Sequence, residues 1–165
     1  GAYRSIGINR NDFMSLIQMR PEGGAGFGTL EWVAYASNAF NTMVPFYADV
    51  DETPEYLANT TGEVSTENFY WTSRMIAAMA DASYGKSLFH VEHYQENVLA
   101  KSHALINQYD ALLVDEKDPE KQMELKRKAN RKVAEMVQKE ASATLKKVLY
   151  ELSNQMKNSY ARSDV

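Results

Sequence analysis

The most apolar and aromatic stretch of the chain, residues 29–47 (TLEWVAYASNAFNTMVPFY), constrains its fold more than any other. Between residues 30 and 36 both alternating sets of side chains are apolar, which is typical of a strand covered on both faces. Short polar side chains at 37–41 then favour a turn, and Pro45 indicates that VPFY is an edge strand or a strand start. The stretch therefore predicts a core strand, a polar gap and a second strand.

A second apolar run, Phe13–Met19, lies between turn signals and is too short for a helix, so it predicts another strand. Its two faces are again both apolar. The glycine-rich residues 21–28 connect it to the first strand. Because a covering layer for these strands is missing from the sequence, we expect the chain alone to expose an apolar sheet face or to self-associate over it.

The rest of the chain has helical periodicity. Ser65 is predicted to cap a helix that ends at about Ala82, and a long helical hairpin is predicted over 86–160. Asp118 followed by Pro119 marks the start of its second helix. We expect the loop end of the hairpin, around residues 113–132, to project into solvent, with its basic run KRKANRK on a solvated helix face.

Composition and charge exclude several classes of function. The 165 residues fit one domain, and a formal charge of −4 argues against a nucleic-acid partner. No apolar run is long enough for a membrane span, so we expect a cytoplasmic protein. The sequence contains no Cys, which excludes disulfides, thiolate metal sites and a cysteine nucleophile within these residues.

The three histidines were considered as metal ligands. His90 and His93 lie one helical turn apart, near Glu92 and Glu96, whereas His103 lies ten residues beyond His93. Without a third ligand, surface or partly buried histidines are the favoured interpretation, and we expect neither a metal nor an organic cofactor.

Four segments resemble a known family: YRSIGINRNDFMSLIQMR, EWVAYASNAFNTMVPFY, DVDETPEYL and FYWTSRMIA. In this order they are similar to the C-terminal part of the dipeptidases of peptidase family C69, which belong to the N-terminal nucleophile hydrolases. The resemblance is close from Tyr3 to about Ala82. Over the helical hairpin only length and character match.

The resemblance implies an α+β chain that forms part of an αββα sandwich. It also implies hydrolysis of dipeptides by a cysteine at the mature N-terminus, whose thiolate attacks while its own α-amino group acts as the base. This sequence has no Cys and begins at Gly1. We therefore expect 1–165 to be a single C-terminal portion of a larger enzyme, inactive without the N-terminal portion that is its partner.

Within that family fold, four side chains are candidates for contacts with a dipeptide. Asn38 and Asn41 follow the core strand and could donate hydrogen bonds to a substrate carbonyl, although capping of a turn is the favoured interpretation. Arg10 and Arg20 flank the neighbouring strand and could bind a substrate carboxylate, or simply face solvent. No catalytic residue is assigned within the chain.

A function of another class is also open. The hairpin could be a non-catalytic module for dimerisation or docking, because its second helix carries a narrow apolar stripe from Val133 to Met156 that could meet a helix of another chain. A metal-dependent hydrolase built on His90 and His93 is the weaker third hypothesis.

Overall fold

The computed structural model describes residues 11–21, 28–37 and 39–157. Their order confirms an α+β chain in which antiparallel strands precede helices. The elements are β1 Phe13–Met19, β2 Thr29–Tyr35, β3 Val44–Tyr47, α1 Glu55–Ala58, α2 Phe69–Ala82, α3 Tyr84–Asp115 and α4 Pro119–Ser153. The predicted strands are found where the sequence indicated them, whereas the short helix α1 was not predicted. None of the helices in these ranges is long and apolar enough to cross a membrane.

The central strand of the sheet is β2, and side chains from both of its faces enter the core. Val33 packs with residues of α2, α3 and α4 in the larger apolar cluster. Leu30, from the opposite face, packs in a second cluster with Ile106 and Leu113 of α3. The apolar character of both faces, which marked this strand in the sequence, thus reflects burial between two sets of helical side chains.

β1 is the exposed edge of the sheet. Its seven residues are all exposed, including Phe13 at 54% and Ile17 at 57%. Two backbone hydrogen bonds lie at the ends of its pairing with β2. Ala36 N–H donates to the Asp12 carbonyl at 2.9 Å, and Arg20 N–H donates to the Gly28 carbonyl. Because bonded pairs alternate in an antiparallel ladder, the amides of the odd-numbered residues 13–19 point away from β2. Within the described ranges no strand pairs with that outer edge.

The opposite edge, β3, is closed by one side chain. Pro45, on the outer side, has no N–H to satisfy, as predicted for an edge position. Tyr47, the other outward residue, donates its N–H to Asn130 Oδ1 at 2.8 Å, and its carbonyl accepts from Asn130 Nδ2 at 3.0 Å. Asn130 is 2% exposed. The amide of Asn130 therefore replaces a further strand and fixes α4 against the sheet.

Two helices, α2 and α4, begin at a capping side chain. Asp118 caps α4 by accepting from Glu120 N–H at 2.9 Å with Pro119 in the first turn, which confirms that prediction. The predicted cap of α2 was wrong. Asn68, not Ser65, accepts from Trp71 N–H at 2.9 Å, and α2 starts at Phe69. The Ser65 hydroxyl instead accepts from Glu67 N–H within the preceding turn, since Ser favours such local bonds.

The loop end of the α3–α4 hairpin does not project into solvent as expected. Leu113 and Ala129 are buried against Leu30 and Tyr47 of the sheet. The basic run of α4 is not simply solvated either, because its cations pair with the acidic segment that follows β3. The pairs are Lys126–Asp49, Arg127–Asp51 and Arg131–Glu52. Sequence spacing along one helix could not reveal partners about 77 residues away.

Tyr94 lies at the centre of the core on α3. Its ring is 3% exposed, and its hydroxyl has no hydrogen-bond partner among the residues described. Burial raises the pKa of the Tyr94 phenol well above its usual value near 10. The folded chain therefore keeps the Tyr94 proton at a pH at which the unfolded chain loses it.

Replacement of Asn130 by Ala should strongly destabilise the fold. The change leaves the N–H and carbonyl of Tyr47 buried without partners, and we expect a loss of about 2–4 kcal/mol in the free energy of unfolding. Urea denaturation measures it, with Asn154→Ala, at the exposed end of α4, as the matched control. Equal losses in the two variants would show that Asn130 does not hold the edge of the sheet.

Tyr94→Phe should reduce the loss of stability in alkali. The contribution of the raised Tyr94 pKa to the free energy of unfolding is fully present below pH 10. Above pH 10 this contribution falls by about 1.4 kcal/mol per pH unit for one proton. Between pH 10 and 11.5 we therefore expect the free energy of unfolding to decline less steeply in the variant than in the unmodified chain. Denaturation at stepped pH measures both slopes. Tyr150→Phe, at a 65% exposed position, is the control. An unchanged slope in Tyr94→Phe would contradict the assignment.

Candidate functional site

A cavity of about 550 Å³ opens where β2 ends, between the loop that follows this strand and the outer face of α2. We call it the strand-end cavity. Its lining residues on the sheet side are Asp12, Ala36, Ser37 and Phe40, and on the helix side Val64, Trp71, Arg74, Met75, Ala77, Ala78 and Asp81. Its volume lies within the range of small-molecule sites, about 300–1,000 Å³.

The backbone at the floor of the cavity is strained. Ala36, directly after β2, has φ 70°, a left-handed conformation that costs a residue with a Cβ about 1–2 kcal/mol. Two hydrogen bonds maintain it: Ala36 N–H donates to the Asp12 carbonyl at 2.9 Å, and Asn41 Nδ2 donates to the Ala36 carbonyl at 3.3 Å. Strain of this kind is found preferentially at functional sites.

The loop that bounds the cavity is also fixed from outside. The N–H groups of Phe40 and Asn41 both donate to the Ser37 carbonyl at 3.0 Å, which closes a tight turn. Gln95 of α3 donates its side-chain amide to the Asn41 carbonyl at 2.7 Å. The loop after β2 is thus tied both to the strand end and to α3.

The helix α2 supplies the charged wall. Trp71, Arg74 and Asp81 all face the cavity because their spacings of three and seven residues place them on one side of the helix. Trp71 Nε1 donates to the Thr61 carbonyl at 2.9 Å, which fixes the indole. The guanidinium of Arg74 lies 5.7 Å from the centre of the Tyr70 ring.

An ion pair spans the mouth of the cavity. Nη1 of Arg74 contacts Oδ1 of Asp12, and the two side chains are 41% and 57% exposed. Asp81 adds a second carboxylate to the lining. The described part of the lining therefore carries one cation and two carboxylates within reach of solvent, beside apolar residues such as Phe40 and Met75.

The residues that the sequence suggested do not form one cluster. Arg10 and Asn38 lie outside the described residues. Asn41 is 7% exposed, and its amide is bonded to the cavity floor at Ala36. Arg20 lies at the opposite end of β2, next to Gly28. A strand of seven residues, about 23 Å, separates Arg20 from Asn41.

Arg20 forms part of a separate polar cluster. Its Nη1 contacts Asp110 Oδ2 at 2.6 Å and its guanidinium lies 5.9 Å from the centre of the Tyr47 ring. The Tyr47 hydroxyl donates to Asp110 Oδ1 at 2.8 Å. Burial, followed by the hydrogen bond to Asp110, raises the pKa of Tyr47 far above its usual range. This cluster joins the end of β1, β3 and α3.

The histidines lie elsewhere, each against a neighbour. Nε2 of His90 is 3.5 Å from Glu151 Oε1, the His93 ring packs on Phe89 with centroids 4.4 Å apart, and the His103 ring lies 5.5 Å from that of Trp32. Among the residues that the structure describes, no three His, Cys, Asp or Glu side chains are grouped to hold a metal ion.

Sequence reasoning missed Asp12, Arg74 and Asp81 as cavity residues. Arg74 and Asp81 lie three and ten residues after Trp71 and therefore share its face of the helix. That helical spacing was the available signal. The link to Asp12, 62 residues away, depends on the tertiary fold.

Comparison with known proteins gives a consistent result. Residues 1–97 match the family described as Peptidase family C69. The chain is 39% identical over 162 residues to "Probable dipeptidase A" of Streptococcus pyogenes serotype M18 (strain MGAS8232), which covers 98% of this chain and 33% of that protein. It is 34% identical over 200 residues to "Dipeptidase" of Bifidobacterium longum (strain NCC 2705), covering 98% of this chain and 37% of that protein.

A more distant relative covers less of the chain. "Probable dipeptidase B" of Lactococcus lactis subsp. lactis (strain IL1403) is 32% identical over 108 residues, which is 66% of this chain and 23% of that protein. The chain thus spans about a third of the length of the first of these relatives.

Proposed function

The chain belongs to peptidase family C69, and from this membership we propose that it is the C-terminal portion of a cysteine-type dipeptidase. The relatives that it matches over 98% of its length are named dipeptidases, which supports peptide-bond hydrolysis of dipeptides as the reaction of the whole protein. The reaction needs no cofactor in this proposal, and the enzyme acts in the cytoplasm.

The nucleophile of the proposed reaction lies outside these 165 residues, which contain no Cys. An N-terminal cysteine supplies both the attacking thiolate and, through its α-amino group, the base. The chain alone is therefore inactive in our proposal, and its contribution is to complete the fold and to provide one wall of the substrate site.

The strand-end cavity is the observation that carries this role. It combines a volume suited to a small ligand, charges of both signs and a strained backbone at the end of the central strand. Asn41, which is hydrogen-bonded to the cavity floor, and Asn38 remain our candidates for pocket-side donors. Arg10 and Arg20 remain predictions for carboxylate contacts, although Asp110 already holds the Arg20 guanidinium.

The N-terminal portion of the enzyme is the partner that we propose for β1. The outer edge of β1 has no partner strand in the described ranges, and its apolar side chains are exposed on both faces. Such an edge is a template for a further strand. We propose that the three-stranded sheet continues from β1 into the αββα sandwich of an N-terminal nucleophile hydrolase.

The alternative function, a docking or dimerisation hairpin, receives less support. Its basis was the apolar stripe of α4, but Val133, Val137, Ala141 and Val148 are fully buried in the main core of their own chain. Exposed apolar side chains of the hairpin, such as Phe89, Leu99 and Tyr150, lie outside these four positions. Dimerisation through the stripe would require the core to open.

Hydrolysis of dipeptides by three proteins tests the proposal: the full-length enzyme, residues 1–165 alone, and full-length enzyme with its N-terminal Cys changed to Ala. Release of free amino acids is the measurement. We expect activity only from the unmodified full-length enzyme, because only it has the thiolate. Cleavage by residues 1–165 alone, or by the Cys→Ala protein, would contradict a cysteine nucleophile outside this chain.

A further inference from the structure

We propose that the strand-end cavity recognises the two charged ends of a free dipeptide, with Arg74 binding the α-carboxylate and Asp81, together with Asp12, binding the α-ammonium. This inference rests on the proposed dipeptidase function and assigns the substrate contacts within it. It identifies two specificity residues, Arg74 and Asp81, that sequence reasoning did not single out.

The charge pattern of the cavity matches a zwitterion. At neutral pH a free dipeptide has one ammonium and one carboxylate group, whereas a peptide bond inside a longer chain has neither. Among the described residues that line the cavity, one carries a guanidinium and two carry carboxylates. Because opposite charges lie at its mouth and apolar side chains form its walls, it suits a short peptide with both ends free.

Arg74 has the geometry required for a carboxylate. A guanidinium carries five N–H donors in a planar fork, so it can contact Asp12 through Nη1 and still present donors to a second carboxylate. Its guanidinium carbon lies over the Tyr70 ring, 5.7 Å from the ring centre, within the range of a cation–π contact. With 41% of its side chain exposed, the guanidinium is accessible from the cavity mouth.

The Asp12–Arg74 pair is poorly explained as a structural device. Both side chains are well exposed, and exposed pairs contribute only about 0–1 kcal/mol to stability. The Ala36 N–H is bonded to the backbone carbonyl of Asp12, which places this residue beside the cavity. In the bound state the remaining donors of Arg74 contact the substrate carboxylate, while Asp12, together with Asp81, contacts the ammonium group.

The test compares a dipeptide with the corresponding dipeptide amide, which lacks the α-carboxylate, as substrates of the full-length enzyme. In Arg74→Gln we expect KM for the dipeptide to rise about tenfold or more, toward that of the amide, while KM for the amide stays within twofold. Arg74→Lys should recover part of the loss. Arg131→Gln, at an equally exposed arginine of α4, is the matched control and should leave both KM values unchanged.

Asp81→Asn is the second, independent variant. Both substrates carry the α-ammonium group, so we expect KM to rise several-fold for the dipeptide and the amide alike. The patterns expected for the two variants thus differ. Arg74→Gln raises KM for the dipeptide but not for the amide, whereas Asp81→Asn raises KM for both substrates. Circular dichroism of each variant confirms that it is folded before kinetics are compared.

The outcomes separate this inference from the proposed function. If the unmodified full-length enzyme fails to cleave dipeptides, the proposed function is wrong. If it cleaves them but Arg74→Gln affects both substrates equally or neither, the function stands and the role of Arg74 is refuted. An unchanged KM in Asp81→Asn likewise refutes the ammonium contact.

Discussion

The bonds between the side-chain amide of Asn130 and the backbone of Tyr47 are the constraint on which the architecture depends. They close the β3 edge with one buried residue of α4, so within the described ranges β1 is the sheet edge that is left without a partner. They also fix the position of α4 along its own axis relative to β3. Lys126 and Arg127 consequently meet the acidic residues that follow β3, and the hairpin end is packed on the sheet.

The position of the cavity follows from the same arrangement. With β3 fixed on one side, β2 becomes the central strand, and its end at Ala36 faces α2. The left-handed turn at Ala36 is stabilised by Asp12 from one neighbour and Asn41 from the following loop. The packed structure therefore maintains a strained backbone at Ala36 next to Asp12, whose carboxylate contacts Arg74.

Local chemistry explains which features the sequence predicted. Short runs that are apolar on both faces located β1 and β2, and Asp118 with Pro119 located the start of α4, because each signal lies within a few residues. The cap at Asn68 was missed because Ser65 offered an equally good local acceptor. The cavity was not predictable, since it depends on Asp12 and Arg74, which only tertiary packing brings together. Asn130, inside a basic run, likewise gave no sign that it binds the sheet edge.

Hydrogen exchange along β1 in the full-length enzyme tests most directly whether this chain is one part of a larger sheet. The even-numbered amides from Met14 to Gln18 bond to β2, whereas those of Phe13, Ser15, Ile17 and Met19 point outward. If a further strand of the same enzyme covers this edge, both sets exchange slowly and to a similar extent. Fast exchange of the four outward amides in the intact enzyme, beside slow exchange of the others, would show that β1 is a true edge and would contradict the account.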